Sequence, residues 1–328
     1  MKLAELRPDA TIWLDYGQAA EKDSKLLASL SALVTAGRFL WTASDEGRTI
    51  ECLEPAKDGF RLRKQIPLRQ LFANLPGEKD ADEADLESLD VANGKLWVCG
   101  SHCRVRKQPK KARTLDHRLR DRVSRHLLGS ATLEKKGDAL VEPVTALPFE
   151  GARSLRGVLR RNEYIEPFID LPSKENGLDI EGICVDKTKL FLGLRGPLVD
   201  SIAIIIEVAI APRTGFAASK ITTHLVDLGG LGVRDLTRIG RSLLVLAGPV
   251  SSAQEPFRLY RWTPQRTDRI QSAEALLEWP RNDETPEGIC PLDRDGSPGF
   301  AIVYDSPDPT RIKASRYRAD WIAANNIQ

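Results

Sequence analysis

Glutamate opens three short apolar runs in this sequence: Asp85-Leu-Glu-Ser-Leu-Asp-Val91, Asp179-Ile-Glu-Gly-Ile-Cys-Val185 and Pro286-Glu-Gly-Ile-Cys290. Two more runs, Ser31-Ala-Leu-Val34 and Val233-Arg-Asp-Leu-Thr-Arg238, join them when the following strand serves as the ruler. Counted from Ser31, Glu87, Glu181 and Arg234, an apolar run has begun nine residues on, at Leu40-Trp41, Leu96-Trp97, Leu190-Phe191 and Leu243-Leu244. An apolar residue also stands two places after each position (Leu33, Leu89, Ile183, Leu236, Ile289), which selects Arg234 over its acidic neighbour Asp235 as the equivalent of the glutamates. Fourteen residues after the first four positions come Asp45, Ser101, Arg195 and Gly248. The fifth copy has a longer turn, Asp293-Arg-Asp-Gly-Ser-Pro-Gly299, and its equivalent is Asp305.

If equivalent positions meet around one axis, Glu87, Glu181, Glu287, Asp45 and Asp305 surround a single opening with Arg234 and Arg195, and His102 stands beside them. Two carboxylates about 6 Å apart repel by about 3 kcal/mol at an effective dielectric of about 20. Such a cluster needs a cation, a proton or its own arginines. Three chemistries meet that need. Glu87, Glu181 and Glu287 could supply oxygen ligands to a divalent ion such as Ca²⁺. A glutamate pair could do acid–base work. The same side chains could instead line a structural polar channel, with its arginines as counter-ions.

The elements that must hold these residues are strands. Each copy reads as a strand, a turn rich in Gly, Asn, Asp or Lys, and a returning strand, the pattern of a β-hairpin. Further strands follow, as at Thr49 to Leu53 and Phe60 to Ile66, or Ile202 to Ala209 and Lys220 to Leu228. Four strands per unit, repeated every 53 to 56 residues, is the pattern of a propeller blade. The expected fold is therefore all-β, a single β-propeller over residues 1–328 with five blades, six being the alternative. The N-terminal run Ala10-Thr-Ile-Trp-Leu-Asp15 has no hairpin partner of its own. The last unit, with Phe300 to Tyr304 and Ile312 to Tyr317, lacks a fourth strand, so this run is expected to close the ring there and hide two open edges. A (β/α)₈ barrel would require an amphipathic helix after each strand, and the sequence has none in those places.

The interval from Glu87 to Glu181 is longer than the others, and an insertion at about 103–129 in the second blade accounts for it. From Arg104 to His126 it carries ten Lys or Arg against two Asp, with helical or irregular composition. A short helix is expected at Ala152 to Arg161. The insertion joins strands on the ring-bearing face, so it reads either as a basic flap able to meet a small anionic ligand or as a solvated loop. It lacks the interleaved aromatics of a single-strand nucleic-acid groove, and nucleic acid is not an expected partner. A net charge of +2 makes no general claim on polyanions. The apolar runs are too short for a membrane span, and the start of the chain has no signal-peptide pattern. Five cysteines without a recurrent spacing argue for a cytoplasmic chain rather than a disulfide framework. Cys184 and Cys290 share one repeat position and read as core residues.

The segments Lys174-Glu-Asn-Gly-Leu-Asp-Ile-Glu-Gly-Ile183, Gly193-Leu-Arg-Gly-Pro197 and Gly232-Val-Arg-Asp-Leu236 resemble an uncharacterised bacterial family, the domain of unknown function 3616. The Glu-Gly-Ile starts resemble, more weakly, the propellers of esterase-like phytases and of the lactonase and gluconolactonase group. That second resemblance implies a calcium or similar ion held by acidic and amide side chains at the channel mouth. The chain departs from it at Arg234 and Ser31 and lacks the asparagine ligands of the lactonases. Two functions stay open at this level. One is a ligand-binding or hydrolytic site at the mouth, of esterase, phosphoesterase or lactonase type. The other is a scaffold whose faces bind protein partners.

Overall fold

The computed structural model describes residues 3–23, 25–77, 83–107, 109, 114–210, 217–251, 256–280 and 284–327. The fold is nearly all β. Its α-helices among these residues are three short ones, Gln18–Lys22, Leu68–Leu71 and Leu155–Leu159. The last lies inside the stretch expected to be helical, and the Ser154 hydroxyl caps it by accepting from the Gly157 amide at 3.1 Å. No helix among the described residues is long and apolar enough to cross a membrane.

Five hairpins form the inner strands: Leu30–Ala36 with Phe39–Ser44, Leu86–Ala92 with Lys95–Gly100, Asp179–Asp186 with Lys189–Gly196, Gly232–Ile239 with Ser242–Gly248, and Thr285–Pro291 with Gly299–Asp305. Outer strands extend each one. Thr49–Ala56 and Gly59–Pro67 complete the first unit, and Leu128–Leu133 and Leu140–Ala146 the second. Ala203–Ala209 and Ala217–Asp227 complete the third, and Arg258–Trp262 and Glu274–Glu278 the fourth. In the fifth, Arg316–Ala323 pairs with the inner hairpin and then with Ala10–Asp15 from the start of the chain.

The first strand of each unit packs against that of the next, and the fifth packs against the first. Between consecutive units lies an apolar layer, because a sheet with one buried face must bury it on a neighbour. Trp41, Ile50, Leu86 and Val98 fill one layer, and Trp97, Leu128, Ile183 and Leu192 the next. Phe191, Val233 and Trp262 fill the third, and Leu244, Ile289 and Phe300 the fourth. Leu14, Leu33, Val303 and Tyr317 join the last unit to the first. Outer edges are covered across units: Trp13–Asp15 runs parallel to Gly59–Arg61, and Gln271–Ser272 runs parallel to Val226–Asp227. Each such pairing removes an open edge that would recruit another strand.

One expectation is refined and another corrected. Among the described residues of the insertion, expected to be helical or irregular, Arg104–Arg106 pairs antiparallel with Leu119–Asp121, and a 3₁₀ turn, Val123–His126, leads back to the sheet. Arg104 faces Asp121 across that ladder, and their ion pair at 2.7 Å favours a hairpin where composition alone read as helical or irregular. Five of its seven described Lys and Arg make ion pairs, with Arg104 on Asp121, Arg106 on Glu175, Arg118 on Asp116, and Arg122 and Arg125 on Glu83. Lys110, Lys111 and Arg113 of this segment lie outside the described residues. In the last unit the third strand is Arg316–Ala323, not Ile312 to Tyr317, because Ile312–Lys313 folds back on Arg316 and Tyr317 through Ala314 at φ 53°.

Candidate functional site

The pairing register of every inner hairpin skips one residue, and the five skipped residues are Ser31, Glu87, Glu181, Arg234 and Glu287. A β-bulge leaves its extra residue outside the ladder and re-aims its side chain. Here the bulge faces those side chains toward neighbouring units. The Ser31 hydroxyl donates to the Leu86 carbonyl of the second unit at 2.5 Å. The Arg234 guanidinium pairs with Glu181 of the preceding unit at 2.9 Å and with Glu287 of the following one. These three are almost fully buried, at 5, 2 and 5% exposure.

The residue after each bulge forms a floor beneath this ring. The Ser88 hydroxyl donates to Asp235 Oδ1 at 3.0 Å and accepts from the Ile183 amide at 3.0 Å. Asp235 Oδ2 accepts from the Ile289 amide at 2.8 Å. Gly182 belongs in this layer because a Cβ there would lie 2.9 Å from the Asp235 carbonyl carbon. Asp235 is therefore a stitch between units one level below the ring, and Arg234 is the ring residue.

The returning strands bring in the second set. In the third unit the register skips Arg195 as well, and its guanidinium meets Glu181 at 2.8 Å and Asp179 at 3.8 Å. Gly248 carries no side chain, and a Cβ there would lie 2.3 Å from the Phe257 ring and 3.1 Å from the stem of Arg234. Asp45 and Asp305 stand at the rim, and their charges reach each other. Burial, then Asp305 and Asp85, push the Asp45 carboxyl up to about 8. Burial and the neighbouring Glu181 push Asp179 up to about 8. Burial raises Asp305 too.

Glu87 differs from the other two ring glutamates. Among the described residues its carboxyl makes no ion pair or hydrogen bond. Burial and the charges of Asp85, Glu181, Asp45 and Asp179 raise it well above the usual carboxylate range. The ring thus holds a Glu87 carboxyl pushed toward its acid form and a Glu181 clasped by two guanidiniums.

The geometry gives calcium at Glu87, Glu181 and Glu287 no support. Among the described residues no three His, Cys, Asp or Glu side chains are placed to hold a metal ion. Arg234 is the reason, since its guanidinium stands between Glu181 and Glu287 where a shared cation would have to sit. His102 does not join the carboxylates either. With φ at 55°, its ring turns away to stack on His126 at 5.7 Å and meets the Leu127 carbonyl at 3.2 Å, and burial depresses its pKa.

A family model described as protein of unknown function (DUF3616) matches residues 29–320. The chain belongs to that family. The matched span holds all five inner hairpins of this family member and leaves out the strand Ala10–Asp15. Among solved structures, a β-1,3-galactosidase of the GH43 class aligns with 98% of the chain at 10% identity and TM-score 0.48. The chain spans 60% of that structure's length. Glutaminyl cyclase from Myxococcus xanthus aligns over 97% of the chain and 96% of its own, at 11% identity and TM-score 0.47. Streptogramin B lyase aligns over 90 and 94%, at 11% identity and TM-score 0.36. No match to a curated protein was found.

Sequence reasoning about this family member overlooked Asp85, Asp179 and Arg125. The first two were signalled by the shared Asp-x-Glu spacing of Asp85-Leu-Glu87 and Asp179-Ile-Glu181, two residues before the bulge. Arg125 had no such signal. It comes from the end of the insertion, pairs with Asp85 at 3.0 Å and with Glu83, and donates to Cys103 Sγ at 3.0 Å. The insertion thus supplies the site with one fixed arginine.

Proposed function

We propose that the five units are the blades of one propeller closed by Ala10–Asp15, and that its acidic mouth binds and hydrolyses a small uncharged ester or lactone. The observation that carries this reading is the contrast between two ring carboxyls. Glu87 is pushed up by burial and by four neighbouring carboxylates, whereas Glu181 faces Arg195 and Arg234. A carboxyl pushed toward its acid form beside an ion-paired carboxylate can supply an acid and a base in one place. Glu87 would donate a proton to the leaving oxygen, and Glu181 would orient or deprotonate water. Asp45 and Asp305 at the rim would accept hydrogen bonds from substrate hydroxyls. Seven carboxyl groups (Asp45, Asp85, Glu87, Asp179, Glu181, Glu287, Asp305), several pushed toward their neutral form, face only Arg125, Arg195 and Arg234, so the mouth has no surplus of positive charge for a phosphoester. Five free, buried thiols accord with a reducing, cytoplasmic setting.

The test is a hydrolysis and thermal-shift screen with neutral sugar lactones and nitrophenyl acetate, run beside nitrophenyl phosphate and CaCl₂. Turnover or stabilisation by a neutral substrate, lost in Glu87→Gln with melting retained, is the expected result. Stabilisation by calcium alone, or no response to any neutral compound, would overturn it.

A further inference from the structure

On the face opposite the acidic mouth, two inner-hairpin turns meet around a cavity of about 290 Å³. Lys187-Thr188 turns the third unit and Gly240-Arg241 the fourth. Six residues of strand separate Lys187 from Glu181, about 20 Å at a rise of about 3.3 Å per residue. Lys187, Lys189, Arg238 and Arg241 line the cavity, with Asp186 as its one carboxylate and Phe191 in its wall.

Two of the cations are fixed by their neighbours. Arg238 pairs with Asp186 at 2.7 Å. Lys189 pairs with Glu207 at 2.9 Å, and Glu207 is held in turn by His224 Nε2 at 3.3 Å. The Gln271 amide donates to His224 Nδ1 at 3.1 Å, so the imidazole has its proton on Nε2, facing Glu207. Burial of His224 depresses its pKa, which favours the neutral ring. The chain Gln271–His224–Glu207–Lys189 thus sets one ammonium at the cavity. Lys187, whose carbonyl is anchored by Asn93 Nδ2 at 2.7 Å, and Arg241 pair with no carboxylate among the described residues.

We propose that this cavity is an anion site that takes a phosphate group, either free or as the monoester of a small metabolite. Four cations against Asp186 in the lining and Glu207 behind Lys189 leave a surplus of two positive charges, and a compact dianion matches both that charge and the small volume. The site is independent of the acidic mouth, which would repel the same ligand.

The test uses the full chain, with inorganic phosphate and a hexose phosphate titrated against chloride at matched ionic strength, and reads calorimetry and melting. Phosphate should raise the melting temperature beyond chloride, and Lys187→Asn with Arg241→Gln should weaken binding at least tenfold. Both residues are exposed in turns, and Asn accepts the left-handed backbone of Lys187 at φ 56°. Glu87→Gln should keep the full phosphate response. A hexose phosphate that binds more tightly than free phosphate identifies a monoester as the ligand, and equal binding identifies the free ion. No phosphate-specific effect in the parent chain, an unchanged response in the double variant, or loss of the response in Glu87→Gln would each overturn the proposal.

Discussion

Arg234 shows how one side chain can settle the electrostatics of a whole opening. Buried beside Glu181 and Glu287, it offsets charges that would otherwise repel, while burial lowers its own pKa. Other carboxyls at the mouth are pushed toward their acid form by burial and by one another. Asp45 carries this into a pH dependence. Its folded pKa is raised to about 8 from an ordinary 3.8, so the folded chain holds a proton that the unfolded chain releases. The resulting stabilisation is complete below about pH 4 and is lost as pH rises through about 8. Asp45→Asn keeps the acceptor that receives the Glu46 amide at 2.7 Å and removes the charge. The variant should therefore melt near the parent at pH 4 and several degrees above it at pH 8.5. A gap that narrows with rising pH would contradict the raised carboxyl.

The β-bulge is the element that makes the site. Without the skipped residue, side chains would simply alternate between the two faces of each sheet, and equivalent positions would pack into the apolar layers between units. The bulges need room, and glycine provides it where backbones approach. Gly232, two residues before Arg234, would place a Cβ 2.0 Å from the Arg195 carbonyl oxygen, a backbone atom that cannot swing aside. Gly232→Ala should destabilise the chain by about 2–4 kcal/mol, in the range of overpacked and strained core positions. Gly94→Ala, at a turn with open space around it and φ at 70°, should cost only the smaller strain of a left-handed backbone, about 1 kcal/mol. Equal losses in urea denaturation would mean that the close approach at Gly232 relaxes freely.

For the whole molecule, the strand Ala10–Asp15 ties the last unit to the first by pairing with Arg316–Ala323 on one side and Gly59–Arg61 on the other. Leu14 is fully buried in the layer between those units. Leu14→Ala should cost about 2–5 kcal/mol. Because consecutive units share apolar layers, that loss should shift one cooperative transition. A separate early transition would mean that the first and last units open independently. Two faces then carry different charge: an acidic mouth at the bulges and a basic cavity at the turns.

Much of this was readable from residue order alone. Strand periodicity and turn composition are local, so five hairpin units and the equivalence of Ser31, Glu87, Glu181, Arg234 and Glu287 followed from spacing. The choice of Arg234 over Asp235 also followed, because the bulge shifts every copy by the same residue. Contacts between units were not readable in this way. Arg125 reaches Asp85 from an insertion that belongs to no repeat, and the same insertion folds as a hairpin because Arg104 finds Asp121 across it. His102 sits beside the rim in sequence but turns away through a left-handed backbone to stack on His126. Whether a carboxylate keeps its proton, meets an arginine or binds an ion depends on burial and on charges a few ångströms away in other units, and only the tertiary structure determines those.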